Sequence, residues 1–160
     1  MITVQVGYAI PLSYLSNENF HLWVNTALAD RVSEAELCIR IIDEAEMTEL
    51  NGNYRQKFEP TNVLAFPAEI PDEVGLPLLG DIAICAPIVE GEADEQGKAK
   101  VTHWAHMVVH GCLHLIGYDH IDESEAAKME SLETEILKRL GYANPYIQND
   151  KRTGGMATAQ

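Results

Sequence analysis

The segment from Lys100 to Ile116 constrains this chain more than any other. Val101, Trp104, Ala105, Val108, Val109, Cys112, Leu113 and Ile116 recur three and four residues apart, the spacing that gathers side chains on one face of an α-helix. Gly117 follows the last of them, where a positive φ can end the helix and reverse the chain. So wide an apolar stripe needs other elements packed against it. At about 100° per residue, His110 and His114 fall opposite the centre of that stripe. The pattern predicts a helix with one side in a core and two imidazoles facing a cleft.

The rest of the chain supplies the packing partners. Ile2 to Tyr8 alternates apolar and polar residues and reads as a strand. Ser16 offers an N-cap to a helix whose apolar positions are Phe20, Trp23, Val24, Ala27 and Leu28. Glu36 to Ile42 is a second strand. Asp43 with Glu46 makes a capping box for a short helix that ends near Asn51-Gly52. A loop carrying Tyr54, Arg55, Lys57 and Pro60 leads to a third strand, Thr61 to Phe66, closed by Pro67. Ala68 to Gly80 holds Pro71, Gly75, Pro77 and Gly80 and reads as loop. Asp81 to Ala86 is a fourth strand stopped by Pro87, and residues 90 to 98 are an acidic, polar helix broken at Gly97. Asp122 with Glu125 opens a last helix, with Ala126, Met129, Leu132, Ile136 and Leu140 as its buried stripe and Gly141 as its stop. Residues 144–160 have little to bury and read as a frayed tail. The expectation is an α+β (mixed α/β) single domain over residues 1–143. A small four-stranded sheet is packed with about five helices, and a metal site lies on the long helix of the C-terminal half.

A chain of 160 residues with 46% hydrophobic and 22% charged residues fits one globular domain. A formal net charge of -14 argues against gripping nucleic acid by overall electrostatics, because phosphates want positive charge. A local basic patch or a bound cation stays compatible with it. Cys38, Cys85 and Cys112 form no CxxC pair, which suits a reducing compartment, and Cys112 falls on the apolar face as a core residue. The opening MITVQVGYAIPLSYL lacks the basic n-region of a secretory signal, and no stretch reaches the roughly 18 apolar residues of a membrane span. A soluble cytoplasmic protein is expected.

The chemistry concentrates in His110-Gly111-Cys112-Leu113-His114-Leu115-Ile116-Gly117-Tyr118-Asp119-His120. Histidines at i and i+4 of a helix stand roughly 5–6 Å apart at Cβ. Their imidazoles can close on one cation at about 2.0–2.1 Å each. A turn at Gly117 would return His120 as a third nitrogen ligand. Three protein ligands leave a position for water, which is the arrangement of a catalytic site. Zn²⁺ suits three nitrogens, as do Ni²⁺ and Cu²⁺. The spacing equals that of the metzincin proteases, but their general-base Glu after the first His is Gly111 here. The zinc geometry survives, and the protease chemistry lacks its proton acceptor. His103 and His106 read as solvent-facing or capping residues. Asp119 reads either as a partner orienting an imidazole N–H or as a turn residue. Asp81 reads as a turn or interface contact. The acidic runs Glu90 to Glu95 and Asp122 to Glu135 read as solvated helix faces turned from the cleft, or as docking surfaces for basic proteins.

Four strings together carry a family resemblance: Tyr54-Arg55-x-Lys57, Pro60-Thr61-Asn62-Val63-Leu64-Ala65-Phe66-Pro67, Leu79-Gly80-Asp81-Ile82, and His103-Trp104-Ala105-His106 running on to His120. From Ile39 to Tyr146 the chain resembles the YbeY family of bacterial endoribonucleases and rRNA maturation factors. The resemblance implies a zinc-dependent, single-strand-directed endoribonuclease with one Zn²⁺ per chain. It implies action on ribosomal RNA, notably at the 3′ end of 16S rRNA, and in ribosome quality control. Small-subunit components are the implied partners, with no role for DNA or membrane. It also implies that Arg55 lies in the active-site cleft beside His110, His114 and His120. Two positions depart from the family pattern: Ala65 stands where Ser is frequent, and Phe58 where an acidic residue commonly follows the lysine. The competing expectations are a metallopeptidase-like hydrolase and a non-catalytic ribosome-assembly factor whose metal only holds the fold. The general base stays open between Asp119, an RNA 2′-OH and another group.

Overall fold

The computed structural model describes residues 1–69, 77–119 and 122–146. In chain order the elements are β1 (Ile2–Tyr8), α1 (Asn17–Leu28), β2 (Ala35–Ile42), α2 (Glu44–Arg55), β3 (Val63–Pro67), β4 (Leu78–Cys85), α3 (Ala86–Gln96), α4 (Lys100–Leu115) and α5 (Glu123–Arg139). Among the described residues, four strands and five helices make the expected mixed α+β single domain. The sheet order is β1-β2-β4-β3. β1, β2 and β4 run parallel, and β3 is the antiparallel edge strand beside β4. No helix of the described residues is long and apolar enough to cross a membrane.

The period-2 alternation of the strands distributes the core between the two sheet faces. Leu37, Ile39 and Ile41 of β2 and Ile82 and Ile84 of β4 join the large cluster with α1, α3, α4 and α5. Ile42, Ala83, Cys85 and Leu64 point the other way and pack with Met47 of α2. Phe20, Trp23 and Trp104 anchor the large cluster with edge-to-face rings, at centroid distances of 5.5 Å for Phe20–Trp23 and 6.1 Å for Phe20–Trp104. Each such side chain contributes roughly 1.5–3 kcal/mol through burial. The Trp104 indole N–H is satisfied by donating to the Tyr14 hydroxyl at 2.9 Å.

α4 sits at the centre of this arrangement, in contact with α1, α3, α5, β3 and β4. It is less two-sided than its apolar stripe predicts. Every residue from His103 to Val109 is buried, and so are Gly111, Cys112, Leu113 and Leu115. Cys112 is in the core as expected. Gly111 lets the helix press on the sheet: a Cβ there would stand 2.9 Å from Ile82 Cγ2 and 3.0 Å from its Cδ1.

Several boundaries differ from the sequence reading. α2 runs on to Arg55 instead of stopping at Asn51-Gly52. Gly52 is an ordinary helical residue whose missing Cβ makes room for the Phe58 ring. The helix ends one turn later, with Gln56 in the left-handed region at φ 58, its N–H donating to Gly52 O and the Lys57 N–H to Asn51 O. At the other end of α2, Asp43 accepts from the Glu46 N–H at 2.9 Å, but the Glu46 carboxylate pairs with Arg40 instead of closing a capping box. β4 begins at Leu78, within the stretch read as loop. β4 ends at Cys85 and α3 already begins at Ala86, not near residue 90, with Pro87 inside its first turn, where its missing N–H is harmless.

Pro71 and Gly75 of the expected loop, His120, and the part of the expected tail beyond Tyr146 lie outside the described residues. The first residues of that tail are held in place. The Asn144 side chain accepts from the Tyr146 N–H at 2.8 Å, and Lys98 Nζ donates to Pro145 O at 3.1 Å.

Gly80 sets how closely β3 lies against β4. Its φ is +141, and a Cβ would meet Phe66 O at 2.2 Å. Gly80→Ala is expected to lower stability by roughly 2 kcal/mol or more, through combined backbone strain and overpacking. The urea unfolding midpoint measures this; an unchanged midpoint would mean that the strand crossing tolerates a side chain.

Candidate functional site

The C-terminal half of α4 carries the histidine pair. Gly117, at φ +105, turns the chain out of the helix. The Gly117 N–H donates to His114 O at 3.1 Å and the Tyr118 N–H to Leu113 O at 3.0 Å, which satisfies carbonyls the helix end leaves open. One turn apart, His110 and His114 bring their rings to a centroid distance of 4.5 Å and their Nε2 atoms to 3.1 Å. A cation bound at about 2.0–2.1 Å from each nitrogen spans such a separation. The two donors therefore fit the ion that the sequence implies. The third expected ligand, His120, lies outside the described residues. Among the described residues, no three His, Cys, Asp or Glu side chains converge as a metal-holding group.

A groove of about 550 Å³ opens beside this pair. One wall is β3 with the residues that lead into it, Thr61 to Ala65. The opposite wall is α4 with its exit turn, at His110, His114 and Asp119. The C-terminus of α2 closes one side with Tyr54 and Arg55. Arg55 reaches the groove because α2 continues past Gly52 and because the Tyr54 ring packs edge-on to Phe66 of β3, at 4.5 Å between centroids. The structure thus brings Arg55, His110 and His114 to one cavity. Among its described lining residues, Arg55 is the one permanent cation and Asp119 the one carboxylate. Ala65 lines the groove too, whereas Asp81 and Phe58 do not.

His103 and His106, expected at the surface, are buried at 3% and 7% exposure. His103 Nε2 stands 2.8 Å from Glu92 Oε1 of α3. The Glu92 carboxylate also accepts from Asn62 Nδ2 at 3.1 Å, so α3, β3 and α4 are braced together at the groove wall. Burial alone would raise the Glu92 carboxyl, but hydrogen bonds from His103 and Asn62 outweigh it and hold the group below its ordinary value. His106 Nε2 stands 2.8 Å from Glu133 Oε1. Burial pushes the His106 imidazole down against the pull of that carboxylate.

Glu133 is the residue the sequence reading missed. It lies within the acidic run expected to face solvent, yet its exposure is 0%. His110 Nδ1 stands 2.6 Å from its Oε2, and the Tyr146 hydroxyl donates to its Oε1. Burial alone would raise this carboxyl. The hydrogen bonds from His106 and His110 outweigh it and hold the group far below the usual carboxylate range. A signal was present: position 133 falls four residues after Met129 and three before Ile136, inside the buried stripe of α5.

Imidazoles, a guanidinium and a carboxylate thus line one groove at the sheet edge of an α+β domain. Its kind follows from comparison: residues 12–141 match the family model described as Endoribonuclease YbeY, and the chain belongs to that family. The family consists of nucleases that hydrolyse RNA in rRNA processing. The chain is also similar to the solution structure of TM1509 from Thermotoga maritima, with a TM-score of 0.58 and 25% identity over 95% of this chain and 100% of that one.

The packing at Gly111 bears on the peptidase alternative, which needs a Glu at that position. Gly111→Glu would drive a carboxylate into Ile82 and is expected to lower stability by roughly 3 kcal/mol or more, with no gain of peptide hydrolysis. Urea denaturation and a casein-cleavage assay read both outcomes; a stable variant with peptidase activity would overturn the packing argument.

Proposed function

We propose that the chain is a Zn²⁺-dependent, single-strand-specific endoribonuclease of the cytoplasm. In this reading it matures rRNA at the 3′ end of 16S rRNA and serves ribosome quality control, with the small ribosomal subunit and its proteins as partners. One domain carries the whole activity. The observation that carries the reading is the convergence of Arg55 with His110 and His114 on one groove, in a chain of a ribonuclease family.

His110, His114 and His120 are assigned as the ligands of one Zn²⁺. When bound, the ion supplies Lewis acidity toward water and a phosphoryl oxygen. The chain's own groups do the rest. Arg55, held at the end of α2 by Tyr54 on Phe66, offers a planar and permanently charged fork to a non-bridging phosphate oxygen. There it offsets the negative charge carried by the non-bridging oxygens as the new P–O bond forms and the old one breaks. Asp119 on the opposite wall and the substrate's own 2′-OH are the candidates for handling the proton of the attacking oxygen. A pocket of about 550 Å³ takes nucleotide-sized pieces, which splayed single strands present and A-form helices do not.

Arg55→Ala is expected to slow cleavage of a single-stranded RNA by roughly 100-fold or more, the usual loss when one charge-stabilising donor is removed. Its zinc content per chain should match the parent. Chelated protein and His114→Ala should both be inactive in the same assay, with nuclease contamination controlled. Loss of zinc in Arg55→Ala would refute the role given to the arginine. Cleavage that survives chelation and His114→Ala would refute the metal-dependent reading, and absence of cleavage by the zinc-loaded parent would favour a non-catalytic assembly factor.

A further inference from the structure

We infer that Glu133 is the positioning residue of the histidine site: it fixes the tautomer and ring angle of His110 so that Nε2 faces the groove, and His106 and Tyr146 hold Glu133 to that task. The inference rests on the metal reading above for its consequence, but its geometry stands independently.

A neutral imidazole has one N–H. His110 Nδ1 faces Glu133 Oε2 at 2.6 Å, and an ionised carboxylate only accepts, so the proton belongs on Nδ1. Nε2 is then a bare lone pair, and it stands on the groove wall 3.1 Å from His114 Nε2. The other oxygen of Glu133 is engaged as well. Oε1 accepts from His106 Nε2 at 2.8 Å and from the Tyr146 hydroxyl. The same rule puts the His106 proton on Nε2, which leaves its Nδ1 bare. That atom is buried and has no hydrogen-bond partner among the described residues. The His106 ring thus gives up satisfaction on one side to serve the carboxylate on the other.

The two supporting groups come from different parts of the chain. His106 lies one turn before His110 on α4. Tyr146 arrives from beyond α5 on a segment pinned by Lys98 Nζ to Pro145 O and by Asn144 to the Tyr146 N–H. Core filling does not explain the choice of residue. The neighbouring buried positions of α5 are Met129, Ile136 and Leu137, and an apolar side chain at 133 would avoid the desolvation of a carboxylate. A carboxylate behind a ligating imidazole instead raises the basicity of the ligand and locks its orientation.

Two measurements on the full-length chain test this. Long-range ¹H–¹⁵N spectra of the metal-free parent should show His110 as the Nδ1–H tautomer; an Nε2–H tautomer would overturn the inference without any variant being made. Competition with a chromophoric chelator should then show Zn²⁺ affinity falling about 10- to 100-fold in Glu133→Gln and less in Tyr146→Phe. Ile136→Val, a stripe neighbour that only loosens α5, should lose thermal stability while keeping the parent's affinity. Undiminished affinity in Glu133→Gln, or a drop no larger than that of Ile136→Val, overturns the positioning role. Absence of zinc binding by the parent would instead sink the metal assignment, and the two failures are therefore distinguishable.

Discussion

Taking a carboxylate out of water costs several kcal/mol unless donors replace the lost hydration. Glu133 sits at zero exposure, and three groups from two parts of the chain meet it: His106 and His110 of α4, and Tyr146 from beyond α5. These bonds restrict how far α4 can rotate about its axis relative to α5. A second constraint acts on the sheet side, where Gly111 lets the helix close on Ile82. Fixed from both sides, α4 turns His110 and His114 toward the sector that remains, where β3 forms the opposite wall. The direction of the imidazoles is thus a consequence of packing on either side of them.

The opposite wall is held by a parallel device. Asn62, at the entry to β3, is tied by its side chain to Glu92 of α3, and Glu92 in turn to His103 of α4. Each buried histidine of the first two turns of α4 thus braces its neighbours through a carboxylate, His103 toward α3 and the entry to β3, His106 toward α5. Arg55 is brought in by an apolar contact instead, Tyr54 on Phe66. The groove is assembled from three elements, and its own lining residues Asn62, Tyr54 and His110 carry contacts that set their mutual positions.

What the sequence disclosed was local. The apolar phase of α4, the φ > 0 turn at Gly117 and the i, i+4 histidine pair need only helical geometry to be read, and each stands where expected. The strands were legible for the same reason, since alternation is a nearest-neighbour property. What stayed hidden depends on partners far along the chain. His103 and His106 look like surface residues until carboxylates 11 and 27 residues away are folded against them. Gly52 reads as a helix stop until the Phe58 ring is seen to occupy the space of its missing Cβ, and with that error the helical setting of Arg55 was lost. Glu133 was hidden by a choice of phase: assigning Leu132 to the buried stripe of α5 left its neighbour in solvent, whereas Met129, Glu133, Ile136 and Leu137 are the residues fully covered.

The charge balance follows from the same placement. A chain of net charge -14 is a poor ligand for RNA if its charge is spread evenly. Exposed carboxylates stand on most elements, among them Glu18 of α1, Glu36 of β2, Glu44 and Glu49 of α2 and Asp81 of β4. Glu123, Glu125, Glu130 and Glu135 of α5 and Asp94 and Glu95 of α3 are exposed, while Glu133 is sealed by its donors. The described groove wall carries Arg55 against Asp119 and is close to neutral before any ion binds. Exposed charges farther away than about a Debye length, near 8 Å at physiological salt, are largely screened from it. On the proposed reading, attraction to a phosphate is then confined to the one place where a guanidinium and a nitrogen-held cation meet, and the acidic exterior disfavours adventitious binding elsewhere. On that reading such a distribution trades overall affinity for position.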